Sequence, residues 1–176
     1  YDPAIDAWLQ KSSIPGASGR VAGIGFGYNG KGYAGLGFDG SSSLTDIQEY
    51  DPNTNSWTLK TNYPGSGGRN SFCQVLNGDL YIAGGTSGVG NPVSDFWKYD
   101  LSSNVWTQMS VFPLGGRTTG ISFVLDSLVF FGLGHNGSTN FNDLWAFNTK
   151  TGLWVQYANF PGVGRIQATT NLIGNK

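Results

Sequence analysis

Charged side chains are scarce in this sequence. Asp, Glu, Lys and Arg make up 12% of its 176 residues, and the formal net charge is −1, whereas an average protein carries roughly 25% charged residues. Its six lysines are scattered and form no basic run. Binding to nucleic acid or to an anionic membrane needs a basic patch, so the sequence predicts neither as a partner. No apolar run approaches the roughly 20 residues of a membrane-spanning helix, and we expect no membrane insertion.

Histidine and cysteine each occur once, as His135 and Cys73. A catalytic triad, a multi-histidine metal site or an internal disulfide cannot be built from this pair, so we expect no metal, no cofactor and no enzymatic activity. Cys73 stands at the fourth place after Arg69, as Ile24 and Ile121 do after other arginines, which predicts a small core residue. Scarce Lys and Glu beside abundant Asn, Ser, Thr and Gly favours a secreted bacterial module, located outside the cell or at its surface.

Aromatic residues, by contrast, are frequent and recur at a fixed interval. Four tryptophans are separated by 49, 49 and 48 residues, and a Tyr or Phe precedes each by seven positions. The pairs are Tyr1 and Trp8, Tyr50 and Trp57, Tyr99 and Trp106, and Phe147 and Trp154. Each period divides into four short strands, a to d. Strand a begins at an arginine, strand b ends at glycines, strand c begins at an aspartate and strand d carries the tryptophan. Four strands in a period near 50 are typical of one blade of a β-propeller, so we predict an all-β fold.

The glycines and aspartates of these units also recur. They are Gly37, Gly84, Gly85 and Gly134 after strand b, and Asp46, Asp95 and Asp143 at the start of strand c. The sequence predicts repeat units at 20–68, 69–116 and 117–164, preceded by the end of a strand c and a strand d in 1–19 and followed by a strand a in 165–176. Such an arc leaves sheet faces open. We expect further blades of a longer polypeptide to close it, with association of copies as the alternative.

The glycine pair Gly84-Gly85, followed by Tyr99 and Trp106, resembles the kelch repeat. Two units depart from the double glycine, with Gly-Leu-Gly at 35–37 and at 132–134. The phrase "YDPNTNSW" is most similar to bacterial extracellular kelch arrays. This resemblance implies a propeller of four-stranded antiparallel blades around a central channel. The related galactose oxidases use a copper site with two histidines and a Cys–Tyr crosslink, which one histidine cannot supply.

All four arginines of the sequence end similar Gly-rich phrases: "IPGASGR", "YPGSGGR", "FPLGGR" and "FPGVGR". They are Arg20, Arg69, Arg117 and Arg165. In the favoured interpretation each arginine pairs with the strand-c aspartate or with loop carbonyls and braces the blades, since a guanidinium suits two-pronged pairing. In the alternative, the four form a cationic rim at the channel mouth that binds an acidic sugar or another carboxylate.

The loops between strands b and c differ most between units, reading "FDGSSSLT", "SGVGNPVS" and "HNGSTNFN". Unlike loops on a repeated scaffold are a common arrangement for binding. The candidate loop residues are Phe38, Asp39, Asn91, His135, Asn136 and Phe141. The leading hypothesis is therefore a non-enzymatic module that contacts protein or carbohydrate through the b–c and d–a loops. Two alternatives stay open: a propeller domain of a carbohydrate-active enzyme, oxidase-like or sialate-mutarotase-like, and a structural segment of a surface adhesin or secretion cargo.

Overall fold

The computed structural model describes residues 1–16, 19–113 and 115–172. Strands and turns account for all regular structure in these ranges, and no helix occurs in them, which confirms the all-β prediction. Consequently no helix of the described residues has the length and apolarity to cross a membrane.

Three four-stranded antiparallel sheets follow one another along the chain, and each corresponds to one predicted blade. Blade 1 contains β1 (Ile24–Tyr28), β2 (Lys31–Gly35), β3 (Asp46–Asp51) and β4 (Ser56–Asn62). Blade 2 contains β6 (Phe72–Leu76), β7 (Asp79–Ala83), β9 (Phe96–Asp100) and β10 (Val105–Gln108). Blade 3 contains β11 (Ile121–Leu125), β12 (Leu128–Gly132), β13 (Leu144–Asn148) and β14 (Leu153–Tyr157). Two short strands, β5 (Gly67–Arg69) and β8 (Thr86–Ser87), pair beside blade 2.

Tight two-residue turns connect strands a and b. Asn29-Gly30 and Asn77-Gly78 both adopt positive φ, at 47° and 72° and at 55° and 86°. Positive φ at both central residues matches the twist of a hairpin, and Asn-Gly tolerates it well. These turns lie at one end of each blade, and the b–c loops and d–a crossovers lie at the opposite end, here called the loop face.

The hydrophobic core lies between the blades. One cluster joins blade 1 to blade 2 and contains the fully buried Ile47, Leu80 and Tyr99. A second cluster joins blade 2 to blade 3 around Phe96 and Phe131, whose ring centroids lie 5.7 Å apart. Alternate residues of strand c therefore serve different joints. Phe96 belongs to the second cluster, while its neighbour Trp97 packs against the first.

Each repeat tryptophan of the three blades also ties its blade to the preceding unit. The indole N–H of Trp57 donates to the backbone O of Ser12 at 2.8 Å, and that of Trp106 donates to Thr61 Oγ1 at 3.0 Å. The Trp154 indole donates to the Ser110 backbone O at 3.3 Å. Trp8 differs because it is 85% exposed, and within the described residues its ring pairs with that of Tyr1 alone, tilted by 48° at 5.3 Å between centroids.

The two terminal segments are less regular than the sequence predicts. Residues 1–16 contain a bridged turn, Asp2 to Ala7, and residues 165–172 contain no strand. A strand needs a hydrogen-bonded neighbour along its length, and none of the described segments lies beside these two in that way. Residues 17, 18 and 173–176 of the predicted partial blades lie outside the described residues.

A chain of backbone hydrogen bonds links the units at their inner ends. The N–H of Asn70 donates to the O of Ala22, that of Thr119 to Asn70, and that of Gln167 to Thr119. All four residues have φ between 53° and 56°. Strand a begins after this point, at Ile24, Phe72 and Ile121, so the prediction that it begins at the arginine was wrong.

These hydrogen bonds also correct the alignment of the units. The backbone O atoms of Gly68, Arg117 and Arg165 accept hydrogen bonds from the N–H groups of Gly37, Gly85 and Gly134, respectively. Gly68 therefore stands where the other units have an arginine, and Arg69 follows one residue further along the chain. Phe72 therefore matches Ile24 and Ile121, whereas Cys73 lies one place further along and pairs with Ile82. The prediction that Cys73 aligns with those isoleucines was wrong. Cys73 still packs on the first core cluster, and burial raises the pKa of its thiol to about 12.

Candidate functional site

Two of the four arginines form ion pairs at the loop face. Arg20 donates from both terminal nitrogens to the carboxylate of Asp46 at 2.9 Å, and Arg117 donates likewise to Asp143 at 2.5 and 3.0 Å. Each also donates to the backbone carbonyl of the first residue after strand b, Leu36 and Leu133 respectively. An arginine held in this way fixes the d–a crossover to the start of strand c.

The titration of Asp46 reflects its ion pair. Burial on its own raises the pKa of this carboxyl, but the hydrogen bonds from Arg20 and Gln48 and the positive charge of Arg20 outweigh burial. The net result is a pKa below the ordinary value of 3.8. Asp46 is therefore an ionised partner in a neutral pair and is not a candidate general acid.

Arg69 does not repeat this arrangement. It precedes Asp95 by the same number of residues as in the other two pairs, yet the Asp95 carboxylate instead accepts hydrogen bonds from the backbone N–H and the hydroxyl of Ser66, at 2.5 and 2.8 Å. The one-residue delay of Arg69 explains the exchange, because its side chain leaves the backbone at the place of Val21 and Thr118 rather than at that of Arg117.

The guanidinium of Arg69 lies instead over the ring of Phe38, 4.5 Å from its centroid. It donates one hydrogen bond, from Nη2 to the backbone O of Ser87 at 3.2 Å. Its Nε is buried and has no hydrogen-bond partner in the part of the chain that the structure describes. No carboxylate forms a salt bridge with Arg69 within those same ranges. Arg69 is therefore a half-buried cation with spare donors.

Arg165 stands at the place that Arg20 and Arg117 occupy in their units, and its side chain is exposed. Its guanidinium lies 4.2 Å from the centroid of Phe160, and its Nε donates to the backbone O of Val163 at 3.5 Å. The structure thus separates the four arginines into two classes. Arg20 and Arg117 pair with a carboxylate, while Arg69 and Arg165 form no salt bridge within the described residues.

The residues around Arg69 form what we call the axial rim. It consists of the residues that pair across the b–c loops and crossovers of the described chain, namely Val21 with Phe38, Arg69 with Thr86, and Thr118 with His135. The hydroxyls of Thr86 and Thr118 lie 3.0 Å apart and connect two neighbouring units. The sequence does not predict Thr86 and Thr118, because the one-residue shift of the second unit removes the constant spacing by which other repeated positions are found.

The remaining predicted loop residues have local structural partners. The exposed Asp39 caps its own loop by accepting from the N–H groups of Ser41 and Ser42 at 2.8 Å, and these hydrogen bonds, led by that of Ser42, lower its pKa. Asn136 Oδ1 accepts from Ser138 and Thr139 in the same manner.

His135, Asn91 and Phe141 complete the predicted set. His135 Nδ1 accepts the N–H of Gly137 at 3.0 Å, and the backbone of the exposed Asn91 closes the second loop onto Ser87. The ring of Phe141 lies 4.0 Å from the guanidinium of Arg117. Phe38 and Phe141 are therefore platforms for arginines. Within the described residues, no group of three or more His, Cys, Asp or Glu side chains could hold a metal ion.

Comparisons with known proteins agree with this architecture. A family model described as the KLHDC2/KLHL20/DRC7 Kelch-repeats domain matches residues 27–162. Among solved structures, that of YjhT is similar, with a TM-score of 0.78 and 16% sequence identity over 91% of this chain. The matched region spans 58% of the YjhT chain. The comparison with curated proteins found no match.

Proposed function

Because this chain belongs to the kelch-repeat family, we propose that it is a non-enzymatic interaction module of a larger secreted or cell-surface protein, and that its loop face binds the partner. Kelch-repeat domains are generally interaction folds rather than catalysts. The b–c loops and the axial rim provide the contact surface, and the partner is a protein or a glycan.

The observation that carries this proposal is the state of Arg69. Its buried Nε lacks a hydrogen-bond partner, as do those of Arg20 and Arg117. Its terminal nitrogens, unlike theirs, meet no carboxylate within the described residues and donate a single hydrogen bond, to a backbone carbonyl. A partner that presents an acceptor to these terminal nitrogens gains charge-assisted hydrogen bonds. Arg20 and Arg117 show what a structural arginine of this fold does, and Arg69 departs from it.

The surroundings of Arg69 indicate the chemistry of the partner. Phe38 holds the guanidinium on its ring, which fixes the plane of the fork. A fixed fork pairs best with a planar two-oxygen acceptor. The proposed partner therefore presents a carboxylate, either from an acidic peptide side chain or chain terminus or from an acidic sugar.

Binding of labelled protein to an array of acidic peptides and to an array of sialylated glycans tests the proposal. Replacement of Arg69 by Gln should abolish the signal while leaving the thermal melt within a few degrees of wild type, because Arg69 has no carboxylate partner within the described residues. The matched control is Lys31→Gln, which removes the same charge at an a–b turn, on the opposite end of the blade, where Lys31 pairs with Asp51 at 2.5 Å.

Equal binding by the Arg69→Gln and Lys31→Gln variants would reject Arg69 as the contact. Absence of any signal on both arrays would reject the acidic partner. Cell fractionation of the native host with an antibody against this chain separately tests the proposed location outside the cell or at its surface.

A further inference from the structure

A pocket of about 300 Å³ lies between blade 2 and the turn that joins β13 to β14 in blade 3. Blade 2 contributes Asp79, Tyr81 and Lys98 to its wall, and the turn contributes Thr149 and Lys150. Both blades that enclose it are present in the described chain, so the pocket lies inside a formed joint and not at an open end of the arc. Its volume lies at the lower end of the range for small-molecule sites.

The pocket is open because two positions carry smaller side chains here than at the joint between blades 1 and 2. The last residue of strand a is Tyr28 in blade 1 but Leu76 in blade 2. The second residue after the repeat aromatic of strand c is Leu101 in blade 2 but Thr149 in blade 3. Tyr28 and Leu101 both pack in the first core cluster, whereas Leu76 and Thr149 line the pocket. One joint of the repeated architecture thus has a cavity where the other has core side chains.

The charges at the two joints differ as well. Between blades 1 and 2, the carboxylate of Glu49 accepts a hydrogen bond from the Tyr33 hydroxyl at 2.6 Å and pairs with Lys60 at 3.5 Å. Lys98 stands in blade 2 where Glu49 stands in blade 1, one residue before the repeat tyrosine. Within the described residues its one salt bridge is with Asp79, at 3.3 Å. The second joint therefore presents an ammonium group at the place where the first joint has a carboxylate of its own.

The charged groups of this wall are accessible to a ligand. The Lys98 side chain is 31% exposed, and Lys150 is exposed and forms no salt bridge with the part of the chain that the structure describes. These two ammonium groups and the carboxylate of Asp79 leave the wall with one net positive charge. Leu76 and Met109 add apolar surface. A single carboxylate on a short aliphatic body matches this combination, because its charge pairs with the lysines and its hydrocarbon covers the apolar wall.

We infer that this pocket binds a small aliphatic monocarboxylate. The inference goes beyond the interaction surface proposed above, since Leu76 and Asn77 place the pocket beside the a–b turn of blade 2, away from the loop face, and no residue of the axial rim lines it. A ligand that pairs with Lys98 and Lys150 joins blade 2 to blade 3. Because it binds the folded chain only, it should also raise the melting temperature.

Isothermal titration calorimetry of the chain with hexanoate, hexanol and succinate tests the inference. Wild type should bind hexanoate more tightly than hexanol, which lacks the charge, and more tightly than succinate, whose second carboxylate meets Asp79. Lys150→Gln removes one ammonium group without breaking a salt bridge of the described chain, and should weaken hexanoate binding about tenfold. Lys11→Gln removes the same charge from an exposed position outside the pocket. It is the matched control and should bind like wild type.

The repeat supplies a second variant. Thr149→Leu introduces the residue that blade 2 carries as Leu101, which is 7% exposed. The larger side chain should fill the pocket and abolish hexanoate binding. The melting temperature in the absence of ligand should stay within a few degrees of wild type, because the added side chain buries apolar surface as Leu101 does.

Absence of hexanoate binding in wild type overturns the inference, as does equal affinity of Lys150→Gln and Lys11→Gln for hexanoate. Tighter binding of hexanol or of succinate than of hexanoate overturns the assignment of a single carboxylate. If Thr149→Leu fails to fold, the comparison of Lys150→Gln with Lys11→Gln still decides. Arg69→Gln should bind hexanoate like wild type, so failure of this site and failure of the proposed function are detected with different variants and different ligands.

Discussion

Arg117 and Asp143 form a two-pronged ion pair inside blade 3, where their side chains are 1% and 8% exposed. Phe112 and Phe141 flank the guanidinium at 4.8 and 4.0 Å. Replacing Arg117 by Ala leaves a buried carboxylate without its counter-charge. We expect the free energy of unfolding to fall by about 3–5 kcal/mol, measured by urea denaturation.

Arg69→Ala is the comparison for that variant, because Arg69 has no such carboxylate. We expect it to cost less than about 1 kcal/mol, since its contacts in the described chain are one carbonyl and one aromatic ring. Equal destabilisation by Arg69→Ala and Arg117→Ala would contradict the division of the arginines into two classes.

Replacing Tyr63 by Phe should stabilise the protein. Tyr63 is 3% exposed and its hydroxyl has no hydrogen-bond partner among the described residues, while burial raises the pKa of that hydroxyl far above its ordinary range. The crossovers that follow blades 2 and 3 carry Phe112 and Phe160 at the matching place. Removing an unsatisfied buried hydroxyl should raise the free energy of unfolding by about 1 kcal/mol, measured by urea denaturation. A clear loss of stability would show that the hydroxyl has a partner in solution.

Two glycines of blade 1 should respond oppositely to a methyl group. A Cβ on Gly35 would overlap the backbone O of Asp46 and come within 2.8 Å of Ile47 Cδ1, whereas a Cβ on Gly25 would meet nothing nearer than the Tyr33 O at 3.7 Å. We expect Gly35→Ala to cost about 1–3 kcal/mol through overpacking. Gly25→Ala should be neutral or gain up to about 1 kcal/mol, because alanine loses less backbone entropy in a strand. Thermal melts of both variants measure the difference, and equal melting temperatures would contradict it.

Acid should weaken the joint of blade 1 through Asp46. The folded pKa of this carboxyl lies below its unfolded value, so the stabilisation is fully present above the unfolded value and is lost as the pH falls through the folded pKa. Asp46→Asn should therefore be less stable than wild type at neutral pH and should lose less stability on acidification. Urea midpoints from about pH 7 down to about pH 2 measure this slope. Identical slopes in the two proteins would show that other carboxylates control the acid limb.

The fold followed from the sequence because its signal is redundant. The pairing of Tyr99 with Trp106, stacked at 4.7 Å between centroids, recurs in related form across the blades, so one degenerate copy does not obscure the period. The Asn-Gly turns and the apolar strand b add independent local signals that agree with the same four-strand division. An architecture of this kind can be predicted from sequence because the local turn and strand preferences agree with the overall repeat.

The candidate site could be predicted only in part. The spacing between two repeated residues gives the total length of the segments between them, but not the length of each segment. Arg69 precedes Tyr99 by the same 30 residues as Arg20 precedes Tyr50, which predicts the same role for both arginines. In the folded chain Arg69 lies one residue late, and the second b–c loop is one residue longer: Gly85 to Asp95 spans ten positions, against nine from Gly37 to Asp46. The two changes cancel, so the count concealed them.

The backbone chain through Ala22, Asn70, Thr119 and Gln167 has a consequence for redesign. Main-chain atoms alone make these links, and four chemically different residues adopt the same left-handed φ there. The backbone links between the units therefore do not depend on the chemical identity of these four side chains. Substitution of these four residues by others that tolerate a positive φ, such as Asn, Asp or Gly, would therefore change the side chains along this line while the backbone links between the units stay in place.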